Sequence, residues 1–303
     1  MLPLTVATVP AIRAIEILSP RAAARLARPL FMNSRPARAV RPHERPVHDQ
    51  ARRSIIQMRG RSLAVFEWGW GPRTILLVHG WRGRASQFAP LVRELRSEGF
   101  KLIAFDAPAN GDSSGRRTDI RDWLAAIDAL QGQYGRFHAI VGHSFGSLAA
   151  VTAVREGVDA ASVVSIAGMS SARYLIDAFA SRVGLSSATA EALGRDFAHR
   201  VMPGAHPSDF WRRFDVAKQP LPKEVPLLVV HDINDKEVPS AEAERLHAAN
   251  GARSRLVCTS QAGHTRVLGA DATLDAVLAF ASNGLVGVDR MAHGRKGAMP
   301  AAL

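Results

Sequence analysis

Residues 140–147 read Ile-Val-Gly-His-Ser-Phe-Gly-Ser, and this segment decides the fold. An apolar run leads into it, and helical periodicity follows it over residues 147–156. The pattern predicts a sharp strand-to-helix turn with Ser144 at its apex, because the flanking glycines let the strand and the helix approach closely. Ser144 is therefore the candidate nucleophile, and the amide of Phe145 is a candidate oxyanion donor. The competing interpretation is a glycine-rich turn whose serine has no chemical role.

A serine hydroxyl is a poor nucleophile at neutral pH, so Ser144 requires a general base. Of the 11 histidines in the sequence, His264 is the candidate, because it directly follows the last predicted strand. A loop at that point can return to the top of the sheet. The alternative is a surface histidine without a chemical role. We expect His143, the neighbour of the serine, to point to the opposite side of the turn.

Two candidate acids follow the seventh predicted strand, in the segment His231-Asp-Ile-Asn-Asp235. Either could accept the ring N–H of His264 and so orient the histidine. We favour Asp235. Asp232 still belongs to the end of the strand, where it is better placed to cap or brace the loop.

The loop after the third predicted strand is the candidate for the second half of the oxyanion hole. Residues 78–83 read Val-His-Gly-Trp-Arg-Gly. Gly80 permits a close approach of the backbone, and the amide of Trp81 is the candidate donor. The alternative is a structural turn that binds no ligand.

Short apolar runs bounded by turn residues predict eight strands. They are residues 54–59, 63–68, 74–79, 102–106, 137–142, 162–167, 227–231 and 255–259. The third to the eighth show little alternation, as expected for parallel strands covered on both faces. Helical periodicity between them predicts an α/β protein with a doubly wound, mostly parallel, eight-stranded sheet. The first two runs predict a hairpin at its edge.

The segment between the sixth and seventh predicted strands is too long for a simple crossover. We predict that residues 168–222 form a small helical cap within a domain spanning residues 54–282. Tyr174 and Phe179 lie on an apolar face of its first helix and are candidate substrate-binding residues. The alternative is that this face only packs the cap onto the domain. Residues 283–303 lack periodicity and are predicted to be disordered.

The positive charge of the chain is concentrated near its start. Residues 1–61 hold twelve arginines and three acidic residues, so +9 of the formal net charge of +12 lies there. We predict a basic arm over residues 1–53. It could contact an anionic membrane surface or an acidic partner, or it could be a solvated segment packed on the domain. If it serves membrane contact, removing residues 1–51 should leave ester turnover nearly intact. No nucleic-acid recognition motif is visible, so no nucleic-acid partner is expected.

Other features of the sequence predict the cellular compartment and the need for cofactors. Cys258 is the single cysteine and lies in an apolar run, which predicts a buried, inert thiol. The absence of a secretory signal and of a long apolar run predicts a cytoplasmic protein, with peripheral membrane contact open. No phosphate loop, metal-ligand cluster or dinucleotide fingerprint is present, so no cofactor and no metal are expected.

Taken together, the motifs resemble the α/β-hydrolase superfamily, in its serine esterase and lipase-like branch. The resemblance covers residues 54–282. It rests on four segments in the order typical of that fold, namely residues 79–81, 106–113, 142–146, and Asp235 with Gly263-His264. One departure is Asn110, where many members carry histidine or glycine. Because asparagine tolerates a left-handed turn, we expect the fold to be kept there.

The resemblance implies a carboxylic ester hydrolase that acts on a small-molecule ester. Its expected triad is Ser144, Asp235 and His264, with acyl transfer to the serine followed by attack of water. The apolar cap favours an apolar acyl or aryl group. A thioesterase, an acyltransferase or a serine peptidase could use the same triad. A non-catalytic binding protein that keeps the fold is the remaining alternative, although the presence of all three residues argues against it.

Overall fold

Eight strands form a single sheet with the order β1-β2-β4-β3-β5-β6-β7-β8. The computed structural model describes residues 5–297, and the side chains of residues 8–291. The strands are β1 Arg52–Met58, β2 Arg61–Trp68, β3 Thr74–Val78, β4 Lys101–Asp106, β5 Ala139–His143, β6 Val163–Ile166, β7 Leu227–Asp232 and β8 Ser254–Thr259.

The pairing within the sheet is mostly parallel. β1 and β2 form an antiparallel hairpin in which Met58 faces Arg61, and β2 is also antiparallel to β4. All other neighbours, from β4 through β3 to β8, pair in parallel. The predicted fold class and the edge hairpin are therefore confirmed. β3, β5, β6 and β7 are buried along their whole length, which explains why their sequences show no alternation.

Helices cover both faces of the sheet. Those of the described residues are α1 Thr5–Leu18, α2 Pro20–Phe31, α3 Arg45–His48, α4 Ala89–Ser97, α5 Ile120–Tyr134, α6 Phe145–Arg155, α7 Arg173–Val183, α8 Ser187–Val201, α9 Pro207–Arg213, α10 Ser240–Asn250, α11 Gly263–Arg266 and α12 Asp271–Gly297. Alternate residues of β3 divide between two cores: Leu76 joins the cluster with α5 and α6, and Ile75 joins that with α4 and α12. None of the helices in this described part combines the length and apolar character needed to cross a membrane.

Three helices, α7 to α9, lie between β6 and β7. Ser171 and Asp215 form an isolated antiparallel bridge at the base of this insertion, which brings its two ends together. Its interior is aromatic: the ring of Phe210 lies 5.6 Å from that of Phe197 and 4.9 Å from that of Phe214, between ring centroids. The insertion is therefore a small unit with its own apolar contacts.

Residues 5–31 of the basic arm form α1 and α2, and α2 packs against this insertion. Ala23 and Ala27 of α2 are fully buried, in one cluster with Ala190 and Leu193 of α8. Small side chains allow the two helices to approach closely. Among the arginines of the arm, Arg28 is paired with a cap residue, Asp196, at 2.8 Å.

Beyond α2 the arm crosses the carboxyl end of the sheet. The Ser34 hydroxyl donates to the carbonyl of Ala109 at 2.8 Å, and the Ser86 hydroxyl donates to the buried Glu44 carboxylate at 2.5 Å. Further along, the indole of Trp68 donates to the carbonyl of Val47 at 2.8 Å. Removing residues 1–51 would leave several buried polar groups without partners. The structure therefore argues against the expectation that the arm can be deleted without affecting turnover.

The chain after Asn283 differs from the prediction. Residues 283–297 continue α12 beyond a kink at Gly284, where φ is 60° and ψ is −150°. Val288 is buried there, and Arg255 pairs with Asp289 at 2.6 Å. The predicted disorder is therefore wrong for residues 283–297. The kink changes the phase of the helix, so apolar positions on its two sides do not share one period. Residues 298–303 lie outside the described part.

The prediction of a buried thiol is also wrong, because Cys258 is exposed. It lies on β8, the edge strand of the sheet, where an apolar run does not guarantee burial. Its partial burial, together with the charge of Glu244, raises the pKa of the thiol. The thiolate is thereby disfavoured, and with it the reactive form.

The contact between the arm and the cap can be tested by overpacking. Ala24 is fully buried in the cluster that joins α2 and α8, whereas the neighbouring Ala22 is partly exposed. We expect Ala24→Leu to lower the free energy of unfolding by about 1–3 kcal/mol, because the added carbons have no space. Ala22→Leu is the matched control and should have little effect. Urea denaturation measures both, and equal effects of the two substitutions would contradict the packing.

Candidate active site

Ser144 lies at a strained turn between β5 and α6. Its φ of 56° and ψ of −123° place a non-glycine residue in the left-handed half of backbone space. Glycine is required on both sides of it. A Cβ on Gly146 would lie 2.1 Å from the carbonyl oxygen of Val78, and a Cβ on Gly142 would lie 2.5 Å from Cα of Ser147. The turn thus holds the serine at the carboxyl end of the sheet.

Asp235 and His264 are hydrogen bonded. His264 Nδ1 lies 2.7 Å from Asp235 Oδ2, and the carboxylate side chain is fully buried. Its other oxygen accepts the amides of Glu237 at 2.8 Å and Val238 at 3.0 Å. Burial alone would raise the pKa of Asp235, but the hydrogen bonds from His264 and the amides lower it overall. The carboxylate is therefore held in its ionised form, ready to accept the ring N–H.

Asp232 braces the loops and forms no hydrogen bond with the ring of His264. Its carboxylate accepts hydrogen bonds from the Thr259 hydroxyl at 2.8 Å, the Ala262 amide at 2.9 Å and the Asn234 amide at 3.0 Å. These bonds join the loop after β7 to the loop after β8. The bracing function expected for Asp232 matches this geometry.

The loop of His264 lies against the serine turn. His143 Nε2 donates to the backbone carbonyl of His264 at 2.9 Å, and the two rings lie 4.9 Å apart. Among the hydrogen bonds of the described residues, none joins the Ser144 hydroxyl to the His264 ring. The structure thus brings the candidate acid and the candidate base into contact, and brings the loop of His264, the candidate base loop, to the residue next to the serine.

His143 has a structural function that the sequence did not reveal. Its Nδ1 accepts a hydrogen bond from Gln87 Nε2 at 3.0 Å, while Gln87 Oε1 accepts from the amide of Arg84 and from Arg38, both at 3.2 Å. Burial, with the nearby His264, lowers the pKa of His143 to about 3. The ring is therefore neutral, and it connects the arm residue Arg38 to the base loop. Gln87 lies 56 positions before His143, and no local motif marks it.

Gly80 lies directly beside the serine. A Cβ on this residue would lie 2.8 Å from Ser144 Cβ and 3.3 Å from Ser144 Oγ. The next residue is Trp81, whose ring meets that of Phe145 edge-on at 5.6 Å. Within the described structure, neither the Trp81 amide nor the Phe145 amide is engaged by another residue of the chain. Both of the predicted oxyanion donors are thus adjacent to the serine and uncommitted.

His79 holds the loop after β3, the candidate oxyanion loop, in place. Its Nδ1 donates to the carbonyl of Gly80 at 2.7 Å, and its Nε2 accepts the amide of Ala107 at 2.8 Å. Burial lowers the pKa of His79 to about 4. A neutral ring is the form that can donate at one nitrogen and accept at the other. Sequence analysis placed this residue in a motif but did not identify its function.

The candidate cap residues lie in two different places. The hydroxyl of Tyr174 donates to the carbonyl of Glu237, within the loop that carries Asp235. Phe179 instead packs edge-on against Phe31 of the arm at 5.3 Å. These contacts hold the cap to the acid loop and to the arm. Substrate binding by either residue stays a prediction.

The loop around Asn110 differs in detail from the expectation. The left-handed residues are Ala109, with φ of 65°, and Gly111, with φ of 44°. Asn110 itself is buried and donates from Nδ2 to the carbonyl of Pro108 at 3.0 Å. Asparagine is therefore accommodated by a side-chain hydrogen bond, and not by a left-handed backbone. In the described part of the chain, no group of three or more His, Cys, Asp or Glu is arranged to hold a metal ion.

Comparison with known proteins assigns the family. The model of the alpha/beta hydrolase family matches residues 75–280, which is more than half of the chain. The chain belongs to this family. A comparison with curated proteins finds no match.

Solved structures of the same fold include several hydrolases. A putative lipase from Acinetobacter baumannii AYE is 16% identical, with a TM-score of 0.58 over 82% of this chain and 95% of that one. An esterase from Rhodococcus sp. ECU1013 is 18% identical, with a TM-score of 0.55 over 77% and 98%. A bromoperoxidase from Bacillus anthracis is 18% identical, with a TM-score of 0.59 over 77% and 100%. At these identities the similarity shows the fold alone.

The two neutral histidines predict how stability depends on pH. A histidine with a lowered pKa is protonated more in the unfolded state than in the folded state, so stability falls as pH drops. We expect the free energy of unfolding to decrease from the unfolded pKa of about 6.5 toward the folded values of about 4 for His79 and about 3 for His143. Urea denaturation over this pH range measures the slope. Because it removes one titrating group, His143→Asn should reduce the slope of stability against pH by the equivalent of about one proton. An unchanged slope would contradict a buried, neutral His143.

Proposed function

We propose that this protein is a serine hydrolase that cleaves carboxylic esters through an acyl-enzyme on Ser144. The observation that carries the proposal is the serine turn itself: a left-handed Ser144 beside Gly80, with two uncommitted amides next to it. The buried pair of His264 and Asp235 supports it, because that pair supplies an oriented base. Family membership supports the same reading, since such proteins are generally hydrolases.

The proposed mechanism follows from the hydrogen bonds of His264. Because its Nδ1–H donates to Asp235, its Nε2 is the free acceptor for the hydroxyl proton of Ser144. The serine oxygen attacks the ester carbonyl, and the amides of Trp81 and Phe145 stabilise the oxyanion. The protonated histidine then gives its proton to the leaving alcohol. Water attacks the acyl-enzyme with His264 again as base, which releases the acid and restores the serine.

The surroundings of the serine favour an apolar acyl or aryl group. The partly exposed ring of Trp81 lies beside the serine turn and packs on two buried rings, with Trp123 at 5.8 Å and Phe145 at 5.6 Å between centroids. Aromatic faces bind hydrocarbon better than charged peptide. We propose that the ring of Tyr174, whose hydroxyl donates to the loop that carries Asp235, lines the acyl site together with Trp81. A thioesterase domain from the curacin pathway also shares the fold, so thioesters belong in the same assay.

Labelling with a fluorophosphonate tests the nucleophile. We expect the wild-type protein to be labelled stoichiometrically, and Ser144→Ala to abolish labelling and lower kcat on chromogenic esters by roughly 10³-fold or more. Ser147→Ala is the matched control, because Ser147 lies on the same helix but is buried against Ser165 at 2.5 Å. It should label normally. Undiminished labelling of Ser144→Ala would reject the assignment, and a panel of esters and thioesters of increasing chain length gives the acyl preference.

A comparison of two neighbouring acids tests the orientation of the base. Asp235→Asn removes the carboxylate that accepts the His264 N–H and stabilises the imidazolium, so kcat should fall by about 10³- to 10⁴-fold. Asp232→Asn removes a brace at the loop and should mainly lower thermal stability. Steady-state kinetics with thermal denaturation separate the two effects. A larger loss of kcat in Asp232→Asn would move the acid to that position.

A further inference from the structure

The outer side of α1 is apolar. Of its residues 8–18, Ile12 is turned inward and buried, whereas five apolar residues and one arginine are exposed: Pro10, Ala11, Arg13, Ala14, Ile17 and Leu18. Ile17 and Leu18 are 84% and 88% exposed. A surface helix normally presents polar residues outward. A contiguous apolar face on the outside is typical of an interaction surface.

Arginines lie on the exposed side of the next helix. On α2, Arg21, Arg25 and the half-exposed Leu26 lie on the side opposite the buried alanines. Within the described residues, neither Arg21 nor Arg25 forms a salt bridge. Glu16 is the one acidic residue of α1 and α2, and it is turned toward the cap, where its carboxylate accepts the amide and the hydroxyl of Ser186, both at 2.9 Å. The outer side of the helix pair is therefore apolar and positively charged, without exposed acid.

We propose that this outer side of α1 and α2 docks on an anionic phospholipid surface. Ile17, Leu18 and Leu26 would enter the boundary between headgroups and acyl chains, while Arg21 and Arg25 contact the headgroups. Helices with an apolar face bordered by arginine bind membrane interfaces in this way. Anionic lipid adds an attraction for each cationic side chain near the surface.

Two other occupants fit the face less well. A second copy of the chain, related by a twofold axis, would bring Arg21 and Arg25 of one protomer toward the same residues of its partner. A nucleic acid would attract the arginines but would offer no apolar region for Ile17 and Leu18. A lipid surface satisfies both the charge and the apolar side chains.

Docking on this face leaves the packing of the arm intact. The contacts that hold the arm to the cap, from Glu16 to Ser186 and from Arg28 to Asp196, lie on the inner side. The docked state therefore needs no rearrangement of the helices. Binding is expected whether or not Ser144 hydrolyses esters, so the two proposals can fail separately.

Flotation with vesicles tests the proposal on the full-length protein. The vesicles contain ether-linked phosphatidylcholine alone, or with ether-linked phosphatidylglycerol, so that they offer no carboxylic ester. We expect binding to the anionic vesicles that weakens as ionic strength rises. Arg21→Gln with Arg25→Gln should lower the partition coefficient by about 30-fold at low salt. Ile17→Ser with Leu18→Ser should lower it by about tenfold or more.

Matched controls use exposed residues elsewhere on the surface. Ile55→Ser with Val286→Ser removes two apolar side chains that are 67% and 56% exposed. Arg93→Gln with Arg136→Gln removes two arginines whose side chains are 61% and 65% exposed. Both control variants should bind as the wild type does. Thermal denaturation of all variants checks that they are folded.

Three results would overturn the proposal. The first is an absence of wild-type binding to anionic vesicles at low salt, and the second is equal binding by the face variants and their controls. The third is a dimer in sedimentation velocity that Ile17→Ser with Leu18→Ser converts to a monomer, since this would assign the face to a second copy. If the first result is accompanied by binding to heparin that requires Arg21 and Arg25 but not Ile17 and Leu18, the face is assigned to a soluble acidic partner.

Discussion

The strained backbone of Ser144 is the constraint on which the site depends. A left-handed serine is tolerated only because β5 and α6 are both fixed, and they can be fixed so closely only because Gly142 and Gly146 have no side chains. The backbone carbonyls of Val78, at the end of β3, and of His79 lie close to Gly146. This contact also sets the path of the next loop, so Gly80 is brought beside the serine. One local conformation thus determines where the proposed nucleophile, the candidate oxyanion amides and the end of β3 lie.

Two buried, neutral histidines support this geometry. His79 holds the oxyanion loop and His143 holds the base loop, each through one donated and one accepted hydrogen bond. Charging either ring would remove an acceptor in a buried place. Since burial keeps both in the neutral form, the hydrogen bonds have a fixed direction. Gln87 donates to His143 and accepts a hydrogen bond from Arg38, so it connects His143 to the arm.

The strands and the candidate site motifs could be predicted from the sequence, because each depends on a short, continuous segment. The boundaries of the eight apolar runs differ from those of the observed strands by at most two residues. The helices of the arm could not be predicted in this way. α1 and α2 each contain a proline, at Pro10 and Pro29, and their stability comes from packing against α8, which no local pattern reports. The same reason explains the missed contact between Gln87 and His143, and the kink at Gly284 concealed the extension of α12.

The packing of the arm on the cap has a consequence for synthesis. The chain is synthesised from its amino end, so α1 and α2 are made well before their partners Ser186 and Asp196, which lie 170 and 168 residues later. Until α8 has been made, Ala23, Ala24, Ala27 and Ile12 have no surface on which to pack. Contacts of such long sequence separation form late and slow folding. The segment of α1 and α2 therefore stays without its packing partner until α8 has been synthesised, and the arm reaches its place only after that.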